Sequence, residues 1–169
     1  MNPTKMLNDM RTIKALLTDA ERIAREMGEQ EPGAEHLLLS AIELPDGSAA
    51  RALARLGLDA DRVRSALRQE QADALVSAGV PRDTAEAMAE PTPLGAPGAP
   101  LLYGAGPSGR EVFQEAGKLA RSAKQRLAGA HVVLAVAALE RGTMPRALDR
   151  LGVDRQQLAD AARAELGGH

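Results

Sequence analysis

Apolar residues recur along this chain with a helical period. Ile13, Leu16, Leu17, Ala20, Ile23, Ala24 and Met27 fall on one stripe of an α-helix. Gly28 stands where a C-terminal cap belongs, and Pro32-Gly33 breaks the chain. Residues 34–44 then predict a short helix. Its nearly continuous apolar run (Leu37, Leu38, Leu39, Ala41, Ile42) implies burial on most sides. Pro45-Asp46-Gly47 reads as a turn, with Ser48 placed to cap a helix over 49–56 that Gly57 stops. Asp59 is placed to cap a further helix from 60 to about 71. The order then returns. Val112, Phe113, Ala116, Leu119, Ala120, Ala123 and Leu127 form a second stripe. An apolar helix follows over 130–139, a turn and cap at Gly142-Thr143, a helix over 144–151, and a last helix capped by Asp154 and running to about 166.

The return is an internal repeat. With a shift of 95 positions, His36 meets His131, Gly47 meets Gly142, Arg51-Ala52-Leu53 meets Arg146-Ala147-Leu148, and Arg55-Leu56-Gly57 meets Arg150-Leu151-Gly152. Asp59, Arg68 and Glu70 meet Asp154, Arg163 and Glu165. Upstream of the histidine one residue is missing from the second copy, and the shift becomes 96, so that Ala20, Ala24 and Arg25 meet Ala116, Ala120 and Arg121. The glycines and aspartates in register carry the most weight, because they mark helix ends. The expected architecture is all-α: about eight helices in two related four-helix repeats, over 1–78 and 108–169, packing as one domain. Residues 79–107 hold most of the prolines and read as an extended, loosely packed linker, with one short helix over 82–89.

Composition narrows the function. Hydrophobic residues make up 44% of the chain and aromatics 1%, so the core is built from Leu, Ala, Val, Ile and Met, which suits close helix packing. A net charge of −2 lacks the basic excess of a nucleic-acid binder, and it also argues against reading 49–67 as a DNA-binding helix-turn-helix. There is no cysteine for a disulfide or thiolate site. No apolar run approaches a membrane span and the N-terminus lacks a signal-type core, so a cytoplasmic location is the expectation.

Little in the chain suggests chemistry. The run from Gly104 to Gly109 matches the dinucleotide pattern G-x-G-x-x-G, but no strand precedes it, and it reads as linker. No phosphate-cradling P-loop sequence is present. His36 and His131 occupy equivalent helix starts, without a second ligand at metal-binding spacing, and read as histidines that bond the local backbone. Glu35 suits the positive end of a helix dipole. The arginines at 51, 55, 62, 64 and 68 read as solvated faces with i,i+4 partners. No catalytic constellation, metal or cofactor is expected, and the chain is read as a binding protein and not an enzyme.

Gly33-Ala34-Glu35-His36-Leu37-Leu38-Leu39, then Gly47, Ala49-Ala50-Arg51-Ala52-Leu53 and Leu56-Gly57-Leu58, resembles the repeat of the Clp amino-terminal domain, whose unfoldases read G-T-E-H-[IL]-L-L at the same place. The second copy, from Gly129-Ala130-His131 to Asp154, is similar. The resemblance implies eight helices in two pseudo-twofold-related repeats. It also implies docking of substrates, adaptors or peptide-like small molecules for a Clp unfoldase and its protease, here in a free-standing chain without ATPase modules. It assigns ligand contact to Glu35 and His36, and to the start of the first helix at Met10 and Arg11, where relatives bind phosphoarginine. In the second copy Ala130 replaces the glutamate, so inherited binding is expected mainly in the first half. The reading kept beside it is a small-molecule or peptide binder unrelated to proteolysis.

Overall fold

In the computed structural model, which describes residues 3–95 and 105–167, the chain runs through α1 (Pro3–Glu26), α2 (Ala34–Glu43), α3 (Ser48–Ala54), α4 (Ala60–Ser77), α5 (Arg82–Ala89), α6 (Pro107–Ser122), α7 (Gly129–Ala137), α8 (Thr143–Arg150) and α9 (Arg155–Leu166). The class is all-α, with no strand among the described residues. None of these helices is long and apolar enough to cross a membrane. The ninth helix relative to the repeat pattern is α5, the short element foreseen at 82–89. Gly28 ends α1 at φ +84°. The Asp59 carboxylate caps α4 by accepting the Arg62 N–H at 2.8 Å, and the Asp154 carboxylate caps α9 by accepting the Gln156 N–H at 2.6 Å.

The two most apolar helices, α2 and α7, pack on each other at the centre. Leu37, Leu38, Leu39, Val132, Val133 and Val136 are closed to solvent, as the continuous runs implied. α1 covers α2, and α6 covers α7. The outer helices cross between repeats: α3 packs on α9, and α4 on α8. Each repeat therefore completes its core with a helix from the other.

Those crossings overturn the reading of the arginines as solvated faces with i,i+4 partners. Arg51 and Arg55 of α3 donate through Nε to the two carboxylate oxygens of Glu165 on α9, at 2.7 and 2.9 Å. Arg146 and Arg150 of α8 do the same to Glu70 on α4, at 3.2 and 2.9 Å. The four arginines and two glutamates are one triad repeated by the pseudo-twofold axis. The paired arginines hold the Glu165 carboxyl below the usual carboxylate range, first through the Arg51 hydrogen bond and then through that from Arg55.

Two further expectations change. Ser48 begins α3 but does not cap it. Its hydroxyl bonds the Asp46 carboxylate and accepts the Ala130 N–H of α7 at 2.8 Å, while Asp46 also accepts the Gly129 N–H at 3.2 Å. The turn after α2 thus caps the central helix of the other repeat. Gly142-Thr143 supplies no side-chain cap to α8. Of the stretch read as a linker, residues 92–95 lie against the end of α1, where the Leu94 N–H donates to the Arg25 carbonyl at 2.9 Å, and residues 96–104 lie outside the described residues.

Gly129 sits at the tightest point of the centre. A Cβ there would lie 2.8 Å from the Ala49 Cβ and 3.0 Å from the Ala41 carbonyl oxygen. Gly129→Ala is expected to destabilise the chain by about 1–3 kcal/mol, read as a lower urea midpoint with unchanged slope.

Candidate functional site

Each repeat opens its central helix in the same way. At the third position of α2, His36 Nδ1 accepts the Gly33 N–H at 2.8 Å, and at the third position of α7, His131 Nδ1 accepts the Ala128 N–H at 3.1 Å. The ring takes the part that Glu or Gln plays in a capping box. Both histidines are buried, and burial pushes both pKa values down, that of His36 to about 4. A backbone N–H can only donate, so each Nδ1 carries a lone pair and each proton is on Nε2. In repeat two this N–H has a partner, Gln125 Oε1, at 3.2 Å. In repeat one the equivalent neighbour is Glu29, whose Oε1 is 4.0 Å from His36 Nε2, and that buried Nε2 has no hydrogen-bond partner.

Glu35 completes this first cluster, with Oε1 3.7 Å from His36 Nδ1 and a side chain only 13% exposed. Burial raises the Glu35 pKa. It also raises that of Glu29, with repulsion from Glu35 as the smaller cause. Glu29, Glu35 and His36 bring their donor atoms within 4.8 Å of one another, the spacing of a metal site. The tautomer does not fit one, because a ligating imidazole needs one free lone pair and normally donates from its other nitrogen. Here the Nδ1 lone pair is taken by Gly33, and Nε2 bears hydrogen. The three side chains form a cluster at the start of α2 that brings two carboxyl groups beside one buried ring.

The start of α6, from repeat two, packs on the start of α2. The Gly106 N–H donates to the Pro32 carbonyl at 3.0 Å, and Ser108 Oγ accepts the Ala34 N–H at 3.2 Å. Gly106, Ser108 and Gly109 therefore serve packing between α6 and α2. Gly104, the start of the dinucleotide-like pattern, lies outside the described residues.

Arg11 belongs to a different cleft. It lines a cavity of about 600 Å³ with Thr12, Leu44, Arg126, Leu127 and His131. Arg11 is fifteen residues from the end of α1 nearest Glu29, roughly 22 Å at the helical rise. Met10 is exposed, at 60%. The structure thus keeps Glu35 and His36 together but does not join them to Met10 and Arg11. The reason is the exchange between repeats: the start of each first helix faces the central helix of the opposite copy. Glu29 and Gln125 were not singled out from the sequence. The 96-residue shift that pairs Ala24 with Ala120 also pairs them, and it was the available signal.

Residues 11–90 match the family described as Clp repeat (R) N-terminal domain. The fold extends the likeness over both repeats. The crystal structure of the N-terminal domain of the caseinolytic protease-associated chaperone ClpD from Arabidopsis thaliana is similar at a TM-score of 0.63 and 21% identity, over 94% of each chain. No curated protein matches the sequence. Within this fold, repeat one carries Glu29 and Glu35 where repeat two carries Gln125 and Ala130, so the surroundings of the two histidines differ in charge.

With a folded pKa near 4 against an ordinary 6.5, neutral His36 contributes stability above pH 6.5 that is lost as pH falls toward 4. Relative to His36→Gln, which keeps an acceptor for the Gly33 N–H, the native chain is expected to lose about 2 kcal/mol between pH 7.5 and pH 5. Urea titrations of both proteins at the two pH values check this. Protonation of Glu29 and Glu35 has the opposite sign and acts in both proteins.

Proposed function

We propose that the chain is a non-catalytic docking module of a Clp-type proteolysis system. It holds substrates, adaptors or peptide-like small molecules, as an adaptor or as a competitor of an unfoldase N-domain. The observation that carries the reading is the Clp repeat match over a segment whose second helix opens with Glu35 and His36, clustered with Glu29. A guanidinium or ammonium group on a ligand suits that cluster, because the Glu29 and Glu35 carboxylates repel each other until a cation sits between them.

A second reading, a small-molecule or peptide binder outside proteolysis, is favoured by the roughly 600 Å³ cleft at His131. Its walls at Leu44, Leu127 and Leu166 are apolar. Among the described residues, its cations Arg11 and Arg126 have no acidic partner.

The test is a reconstituted Clp unfoldase and protease degrading an unfolded client, with this chain added. The chain is expected to change the degradation rate in a saturable way. Glu35→Ala is expected to require about tenfold more protein for the same effect, and Ala130→Ser to leave it unchanged. A rate indifferent to excess chain sinks the proteolysis reading, and thermal shifts with cationic peptides then decide for the second.

A further inference from the structure

Residues 90–95 lie across one face of repeat one. The segment leaves α5 and passes from α4 to the end of α1. Glu90 Oε2 is 3.8 Å from Arg68 Nη1. The Arg25 guanidinium donates to the Gly95 carbonyl, from Nε at 3.0 Å and also from Nη2. The approach is close enough that a Cβ on Gly28 would lie 2.8 Å from the Thr92 carbonyl oxygen. On this face Ile23 and Leu39 are fully closed to solvent. The neighbouring groove between α1, α2 and α4 is spanned by an ion chain, Arg22 to Glu43 at 2.6 Å and Glu43 to Arg64 at 3.8 Å.

Among the described residues, no extended segment covers the same face of repeat two. Arg25 and Arg68 correspond to Arg121 and Arg163, and Ile23 and Leu39 to Leu119 and Leu134. Both leucines are only half-buried, and Arg121 is exposed, with no ion pair or hydrogen bond from its guanidinium among the described residues. Lys124 stands where Gly28 stands, at φ +56°, and no extended segment of the described chain forbids its side chain. The ion chain is gone because Glu43 and Arg64 become Ala138 and Ala159. What remains is a groove of about 620 Å³ lined by Leu119, Leu134, Ala138, Val153, Ala159 and Arg163. It shares Glu115 and Ala138 with a second hollow of about 800 Å³ that reaches Arg121. Of the acidic residues nearby, Glu115 pairs with Lys118 at 3.4 Å, Asp154 caps α9 and Asp160 pairs with Arg163 at 2.9 Å, while Asp149 also lines the groove and Glu111 the adjoining hollow.

We propose that this groove docks an extended segment of a partner polypeptide, bound as residues 90–95 are bound to repeat one. An acidic side chain meets Arg163 in exchange for the local Asp160. A backbone carbonyl five positions later is taken by the Arg121 guanidinium, and the apolar residue just before it rests against Leu119 and Leu134. The internal segment supplies the template; Arg121, exposed and without a partner among the described residues, and Arg163, held only by the local and exposed Asp160, supply the charge. This surface is separate from the Glu35 cluster and does not rest on the Clp reading.

The probe is a fluorescein-labelled peptide of sequence Ala-Glu-Pro-Thr-Pro-Leu-Gly, that of residues 89–95, titrated with the whole chain by anisotropy and mapped by amide NMR shifts. The expected result is saturable binding with Kd of about 100 µM or tighter, and shifts on α6 and α9. The exposed pair Arg121→Glu and Arg163→Glu is expected to weaken binding at least about tenfold with helicity retained. Ala138→Glu with Ala159→Arg, which rebuilds the ion chain of repeat one, is expected to close the groove and give the same loss. The proposal is overturned by no saturable binding up to about 1 mM, by equal affinity of a scrambled peptide or of both variants, or by shifts confined to repeat one.

Discussion

The structure depends on a reciprocal exchange across its pseudo-twofold axis. α3 packs on α9 and α4 on α8, and the turn after α2 caps α7. A four-helix unit of this size has too little interior to close alone, and stacking two of them gives a shared core centred on α2 and α7. The arginine–glutamate triads at the two crossings fix the register of the exchange. Each glutamate receives two Nε–H donors from one turn of the opposite repeat, so a slip of either helix breaks two bonds at once. The same exchange decides where the cleft at His131 forms, because it takes one wall from each repeat.

Symmetry of the frame makes the asymmetry of its surface informative. Both central helices begin with a buried histidine bonded to its own backbone, so the histidines serve the frame in both copies. What differs is the residue beside each ring. Glu29 and Glu35 give repeat one a cluster whose carboxylates are held above their ordinary pKa by burial. Gln125 satisfies His131 in repeat two, and Ala130 stands where repeat one has Glu35. The outer faces differ too: repeat one spends its α1–α2–α4 groove on its own ion chain and on residues 90–95, and the α6–α7–α9 counterpart carries alanines and open leucines. Duplication has produced one fold with unlike binding surfaces.

Most of the fold was legible in the sequence because its signals are local. The stripes from Ile13 to Met27 and from Val112 to Leu127, the glycines that end helices, and the capping aspartates Asp59 and Asp154 each act within a few residues. What escaped was whatever acts between repeats. Arg51 and Arg55 look like any solvated pair four apart, and nothing in one helix reveals a partner at Glu165. Ser48 has the right place to cap its own helix, and tertiary packing turns its hydroxyl to another. The family resemblance groups Met10 and Arg11 with Glu35, whereas the exchange sends Arg11 to the cleft at His131. The repeat register held part of this information, since it pairs Glu70 with Glu165 and Glu29 with Gln125.

The most direct test of the central claim is to make residues 1–78 and 105–169 as separate chains and follow each, and their equimolar mixture, by circular dichroism through urea unfolding. The exchange predicts that neither piece alone shows a cooperative transition, because each lacks the helix that closes its core, and that mixing restores one. A cooperative transition of residues 1–78 alone, unchanged by adding the other piece, would contradict it.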